Sequence, residues 1–81
     1  MNEDKKKELQ SATFERLLKH LDTRNDVQNI DIMNLAGFCR NCLSRWYKEE
    51  AEKINISITD HTAREHIYRM PYSIWKKKYQ K

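Results

Sequence analysis

The chain has 81 residues, with only one glycine and one proline, and a formal net charge of +4. The scarcity of glycine and proline argues against a turn-rich β fold and against a disordered linker, and a content of 35% charged and 38% hydrophobic residues favours amphipathic helices. A domain of this size has a modest core, and such domains often gain stability from a metal, a disulfide or a second subunit. We expect a single helical domain over residues 1–81, in which residues 1–8 are frayed.

Two features of the sequence bear on where the protein is located. No apolar run approaches the roughly 20 residues of a membrane-spanning helix, and the opening MNEDKKKELQ lacks the apolar segment of a secretory signal. We therefore expect no membrane partner and a cytoplasmic location. Two cysteines in that compartment are expected to stay reduced, which disfavours a structural disulfide.

The apolar periodicity predicts four helices, and the first runs from about Asp4 to Leu21. Apolar residues at positions 14, 17, 18 and 21 follow the i, i+3, i+4, i+7 spacing of one helix face. The segment DTRNDVQN then interrupts this pattern with Asp and Asn, which favour turns and helix caps.

The second predicted helix, from about Asn29 to Ile54, is the longest and the central one of the domain. Asn29 suits the N-cap, and Asp31 in the first turn suits the positive pole of the helix dipole. Apolar residues fall on more than one side of this helix, which is typical of a helix surrounded by others. Gly37 in its interior costs about 1 kcal/mol relative to Ala, and we expect it to permit the close approach of another helix.

Two shorter helices complete the predicted domain. The third begins at a cap on Thr59 or Asp60 and ends near Arg69, because the residue before Pro71 disfavours the helical region. Pro71 suits the first position of the fourth helix, PYSIWKKKYQ, in which the aromatic residues at 72, 75 and 79 share one face. The basic end WKKKYQK suits the negative pole of that helix. With no standard nucleic-acid motif present, we expect a solvated helix end and no nucleic-acid partner.

The stretch GFCRNCLSRWY contains a Cys-x-x-Cys pair, Cys39 and Cys42, and three interpretations of it stay open. The favoured one is packing, since free cysteines in a helix behave as small hydrophobic residues. A site for zinc or another transition metal is the second, but His61 and His66 are poorly spaced to complete four ligands, so it would have to be shared between two chains. A redox couple is the third, and it lacks both a preceding βαβ pattern and, in mid-helix, the help of a helix N-terminus.

Polar residues lie next to the apolar residues along one edge of the second predicted helix. Asp and Asn are poor choices in mid-helix unless their side chains have partners, so they indicate either an internal polar network or a binding surface. We expect the binding surface on the helix edge formed by Asp31, Asn34, Phe38, Asn41 and Arg45. No catalytic motif occurs in the sequence, neither a Gly-rich phosphate loop nor Gly-x-Ser-x-Gly nor His-Glu-x-x-His, which favours a non-enzymatic protein.

A family resemblance rests on two stretches, DVQNIDIMNLAGFCRNCLSRWY and AREHIYRMPYSIWKKKYQ. Together they closely resemble the bacterial family called domain of unknown function 1244, and the likeness extends from about Phe14 to Tyr79. The resemblance implies an all-helical, cytoplasmic protein with no assigned activity or ligand. It does not include His61 or His66 as fixed features, which further weakens a zinc site that uses them.

The sequence thus predicts a small all-α domain of four helices with a long central helix. We expect a homodimer, because the core is small and the central helix has more than one apolar side. The leading hypothesis for function is a non-enzymatic interaction or binding module with no cofactor and an unknown protein or small-molecule partner. The rival hypothesis is a thiol-based metal or redox protein that uses Cys39 and Cys42. Burial separates the two hypotheses, since reactive cysteines are partly exposed and lie near positive charge or a metal.

Overall fold

A computed structural model of the chain describes residues 2–81, and Met1, which the predicted domain includes, lies outside the described residues. Residues 2–81 contain five helices and no strand, which confirms the all-α prediction. The helices are α1 (Glu3–Asp22), α2 (Asn29–Ala36), α3 (Arg40–Lys53), α4 (Asp60–Tyr68) and α5 (Tyr72–Tyr79). No helix within residues 2–81 combines the length and the apolar character that crossing a bilayer requires.

Three of the four predicted helices are confirmed, as α1, α4 and α5. The predicted central helix is wrong, because the chain from Asn29 to Lys53 forms two helices, α2 and α3. The longest helix of the described chain is instead α1, with 20 residues.

The predicted central helix is interrupted at Gly37. This glycine has φ +77° and is the C-cap of α2, where its N–H donates to the carbonyl of Met33. A Cβ placed on Gly37 would meet no described atom within 4 Å, so the glycine does not serve the close helix approach that its sequence position suggested. It serves the left-handed backbone, which residues with a side chain adopt only with strain. Cys39 follows in an extended conformation (φ −150°, ψ −178°) and is the N-cap of α3.

The core lies where α3, α4 and α5 meet the second half of α1. Helix α4 is in contact with each of the other three helices. The innermost apolar cluster consists of Leu18, Leu43, Ile67, Tyr68 and Trp75. Trp75 is fully buried, and its ring centroid lies 5.0 Å from that of Tyr68 and 5.7 Å from that of Tyr79. The aromatic face predicted for the last helix is therefore confirmed as part of the core.

Two parts of the chain lie largely outside this core. The first half of α1, from Glu3 to Thr13, is exposed along its whole length. Helix α2 buries none of its eight residues, although its sequence NIDIMNLA contains five apolar ones. The prediction of a central helix surrounded by others is therefore wrong, since α2 is a surface helix and α3 leaves large side chains such as Trp46 and Ile54 exposed.

Replacing Gly37 with Ala should lower the free energy of unfolding by about 1 kcal/mol, because an L side chain is strained in the left-handed region even where space is open. Gly37→Asn should lower it less, because Asn tolerates this region better than Ala does. Urea unfolding followed by circular dichroism measures both changes. If Gly37→Ala were as stable as the wild type, the conclusion that the left-handed backbone at the end of α2 requires glycine would be contradicted.

Candidate functional site

The first residue of α3 is a buried arginine. Arg40 is 2% exposed, and its guanidinium donates to the carbonyl oxygens of Arg24 and Val27, each at 2.8 Å. The guanidinium also donates to Asn29 Oδ1 at 3.0 Å and lies over the ring of Trp75, 5.0 Å from its centroid. One side chain thereby connects the loop after α1, the start of α2 and the start of α3 with α5.

The positive charge of Arg40 is held without an ion pair. No carboxylate of residues 2–81 lies within salt-bridge distance of it. Burial lowers the pKa of the guanidinium, and negative charge on Tyr68, Cys39 or Asp26 acts in the opposite direction. The Nε atom of Arg40 has no hydrogen-bond partner among the described residues. Additional negative charge near this buried cation would therefore be stabilised.

Tyr68 continues the polar network from α2 to α3. Asn29 Nδ2 donates to Tyr68 Oη at 3.0 Å, and Tyr68 Oη donates to Asn41 Oδ1 at 2.6 Å. Asn29 also accepts a hydrogen bond from Arg40. The guanidinium, the two amides and the phenol are therefore joined by one continuous series of hydrogen bonds. Burial raises the pKa of Tyr68 to about 12, and the hydrogen bond from Asn29 acts in the opposite direction. The phenol therefore stays protonated at neutral pH.

The two cysteines lie at the N-terminus of α3, Cys39 as its N-cap and Cys42 as its third residue. Their sulfur atoms are 3.7 Å apart and both thiols are free. The prediction that the pair lies in mid-helix is wrong, because Gly37 ends α2 before it. Cys39 is 7% exposed, as packing predicts, whereas Cys42 is only half-buried.

A cleft of about 270 Å³ opens between α3 and α4 beside Cys42. Its lining consists of Asn41, Cys42, Ser44, Arg45, Asp60, Ala63 and Arg64. Arg64 also lies over the ring of Tyr72, 4.9 Å from its centroid. Asp60 is paired with Lys48 at 3.0 Å and Arg45 with Glu49 at 3.7 Å, so Arg64 is the lining cation that has no carboxylate partner among the described residues.

The predicted binding edge is divided, because α2 and α3 are separate helices. Asn41 and Arg45 line the cleft together with Cys42. Asn41 also ends the hydrogen-bond series through Tyr68, so part of its side chain has an internal partner.

The other members of the predicted edge lie on α2 or directly after it. The carboxylate of Asp31 accepts from the backbone N–H of Gln28 at 3.2 Å, which satisfies a donor at the start of α2. Asn34 is exposed on the same helix. Phe38 packs partly against the core and stacks on Trp46, with ring centroids 6.3 Å apart. These residues do not reach the cleft.

Metal ligands are sparse around the cysteines. Cys39 and Cys42 could supply two thiolates to one ion, but residues 2–81 contain no group of three or more His, Cys, Asp or Glu side chains placed to hold a metal. His66 stacks on Tyr47 at a centroid distance of 4.4 Å, and His61 Nε2 is 3.4 Å from Glu65, both on α4.

Sequence reasoning missed the organising role of Arg40 and Tyr68. Arg40 was one of several polar residues in a crowded stretch, and Tyr68 was one of several aromatic residues near the C-terminus. The sequence signal for this network was the pair Asn29 and Asn41. A buried arginine needs hydrogen-bond acceptors and a buried tyrosine hydroxyl needs a donor and an acceptor, and asparagine side chains can supply both.

The fold and the site define a small all-helical protein whose polar network surrounds the start of one helix. The model of a family described as protein of unknown function (DUF1244) matches residues 27–81, and because this is more than half of the chain, the protein belongs to that family. The matched region contains α2 to α5, the Arg40 network and both cysteines, whereas α1 precedes it. The family likeness thus begins at Val27 and not at Phe14. No curated protein matches the chain.

The free energy of unfolding should fall as the pH rises from about 10 towards 12, because Tyr68 ionises near pH 10 when unfolded and at about 12 when folded. The folded state then binds this proton more tightly, so its contribution is complete below pH 10 and is lost through that window. Urea unfolding between about pH 9 and 11 should show a shallower decline for Tyr68→Phe than for wild type. Tyr47→Phe is the control, because Tyr47 lies on α3 against His66 and is not among the groups that act on Tyr68, so this variant should decline like wild type. Parallel curves for all three proteins would contradict the raised pKa of Tyr68.

Proposed function

We propose that the protein is an interaction module that self-associates as a homodimer through α2. The observation that supports this most is the exposure of the apolar side chains of α2, where Leu35 is 91% and Ile30 61% exposed. Single exposed apolar residues are ordinary in proteins. A helix of mainly apolar residues with none buried is typical of an interaction site.

Two aromatic side chains near α2 add to its exposed apolar residues. Phe38 follows α2 in the chain, and it stacks on Trp46, which is 45% exposed. Aromatic side chains are enriched at the centres of protein interfaces, where they bury large areas at a small loss of side-chain entropy. We use the name α2 surface for the exposed apolar residues of α2 together with these two aromatic residues, which are Ile30, Met33, Leu35, Phe38 and Trp46.

Charge favours a second copy of the chain as the partner. Asp31 is the one charged residue of α2, and its carboxylate already accepts a backbone hydrogen bond. Each chain carries a net charge of +4, so two copies that met through basic regions would repel each other. An interface across the nearly uncharged α2 surface avoids that repulsion and enlarges the small core of each chain.

Leu35→Glu should raise the dissociation constant of the dimer about 10- to 100-fold, because a buried Leu contributes roughly 1.5–3 kcal/mol and Glu adds a charge. Sedimentation equilibrium at micromolar concentration measures this constant. Leu35 is exposed in the single chain, so the substitution should leave its fold intact, as circular dichroism would verify.

Ile54→Glu is the matched control for this experiment. Ile54 is 67% exposed at the opposite end of α3, so the same change of an exposed apolar residue to Glu should leave the dimer unaffected. A wild type that is monomeric at these concentrations would contradict the proposal. Equal weakening by Leu35→Glu and Ile54→Glu would contradict the assignment of the interface to α2.

A further inference from the structure

The start of α3 places two thiols close enough to form a bond with each other. The Cys39 and Cys42 sulfurs are 3.7 Å apart, and a disulfide bond is about 2.05 Å long. Closure therefore needs an approach of about 1.7 Å, which side-chain rotation can supply for residues three apart at a helix start. Both cysteines belong to the start of one helix, α3, so the bond would not join two separate elements.

Exposure gives the two thiols different roles. Cys42 is half-buried and lines the cleft between α3 and α4, so a molecule in the cleft can contact its sulfur. Cys39 is buried behind it and cannot be approached in the same way. An accessible thiol next to a sheltered one is the arrangement in which the first reacts with a substrate and the second resolves the mixed disulfide.

The surroundings of the pair contain positive groups. The first backbone N–H groups of α3 have no helical acceptors, and the helix dipole adds positive character at this end. Arg40, directly after Cys39, is a buried cation with no carboxylate partner in residues 2–81 and with an unpaired Nε. A sulfur that becomes negative during exchange therefore has a cation at the next position of the chain.

The cleft selects a substrate by its charge. Asp60 of its lining is paired with Lys48 and Arg45 with Glu49, which leaves Arg64 as the lining cation without a carboxylate partner in residues 2–81. A volume of about 270 Å³ admits part of a small molecule and not a folded protein segment. The lining therefore favours a small ligand with carboxylate groups.

We propose that Cys39 and Cys42 form a dithiol–disulfide couple that exchanges with small anionic disulfides, an activity beyond self-association. The Cys42 thiol loses its proton to water, and its sulfur attacks one sulfur of the disulfide RSSR. This forms Cys42–S–S–R and releases RS⁻. The Cys39 thiol then loses its proton and attacks the Cys42 sulfur, which forms the Cys39–Cys42 disulfide and releases the second RS⁻. The two RS⁻ take up two protons, so two cysteines are oxidised by two electrons and one disulfide is reduced to two thiols.

Reduced protein mixed with oxidised glutathione, which is a small anionic disulfide, tests the two steps. Acid quenching followed by mass spectrometry should show wild type with two hydrogens fewer and two molecules of reduced glutathione released for each chain. Cys39→Ser should stop at one glutathione attached to Cys42. Cys42→Ser should react about tenfold more slowly or not at all, because its remaining thiol is buried.

Arg64→Gln tests the charge preference of the cleft. Its rate with oxidised glutathione should fall about two- to fivefold, as expected for the loss of one partly exposed charge pair, and its rate with the cationic disulfide cystamine should not fall. Equal effects on both disulfides would overturn the anionic substrate. Native thiols that stay reduced, while urea-unfolded chains are oxidised, would overturn the couple and leave packing as the role of both cysteines. A wild-type protein that stops at a mixed disulfide would also overturn it.

Discussion

The buried guanidinium of Arg40 is the interaction on which the arrangement of the molecule depends. Its donors are fixed in one plane, so a single side chain binds two loop carbonyls and Asn29 at once while its face lies on Trp75. Among the described residues, no other side-chain hydrogen bond joins the loop after α1 to α3, whereas Trp75 Nε1 of α5 donates to Asn25 Oδ1 in the same loop at 2.9 Å. Without the guanidinium, three part-buried acceptors would lose their donor, and an unsatisfied group of this kind costs up to about 1–3 kcal/mol when water cannot reach it.

The break at Gly37 separates two parts of the chain with different chemistry. Before the break, α2 leaves its apolar side chains exposed and forms most of the α2 surface. After it, Cys39 starts a new helix, which brings both thiols to a helix N-terminus beside the buried cation. A continuous helix would have placed the cysteines in mid-helix, where backbone N–H groups are already paired. The proposed self-association and the proposed thiol exchange therefore share one structural origin.

Periodicity predicted α1, α4 and α5 because each has one apolar side and a recognisable boundary, such as the Thr59 cap that accepts from the N–H of Thr62. It failed at Gly37, because helical spacing of apolar residues continues on both sides of the break. A glycine within such a pattern indicates a helix end only weakly. The local sequence therefore gave no reason to prefer two helices over one.

The candidate site was predictable in its residue types and not in its geometry. Cys39, Cys42, Asn41 and Arg45 stood out in the sequence, and the structure brings the last three to one cleft. The burial of Arg40 depends on acceptors 11, 13 and 16 residues earlier in the chain and on the ring of Trp75. Such tertiary contacts leave no periodic trace in the sequence, so the spacing of apolar residues could not have indicated them.

Amide hydrogen exchange of an Arg40→Lys variant tests the anchoring role of Arg40 most directly. Lysine keeps the charge but lacks the planar set of donors, and Arg45→Lys supplies the same change at an exposed position. We predict that Arg40→Lys loses protection in the loop between α1 and α2 and at the start of α2. Its free energy of unfolding should fall by about 2–4 kcal/mol. Protection in Arg40→Lys equal to that in Arg45→Lys would contradict a fold organised around this buried cation.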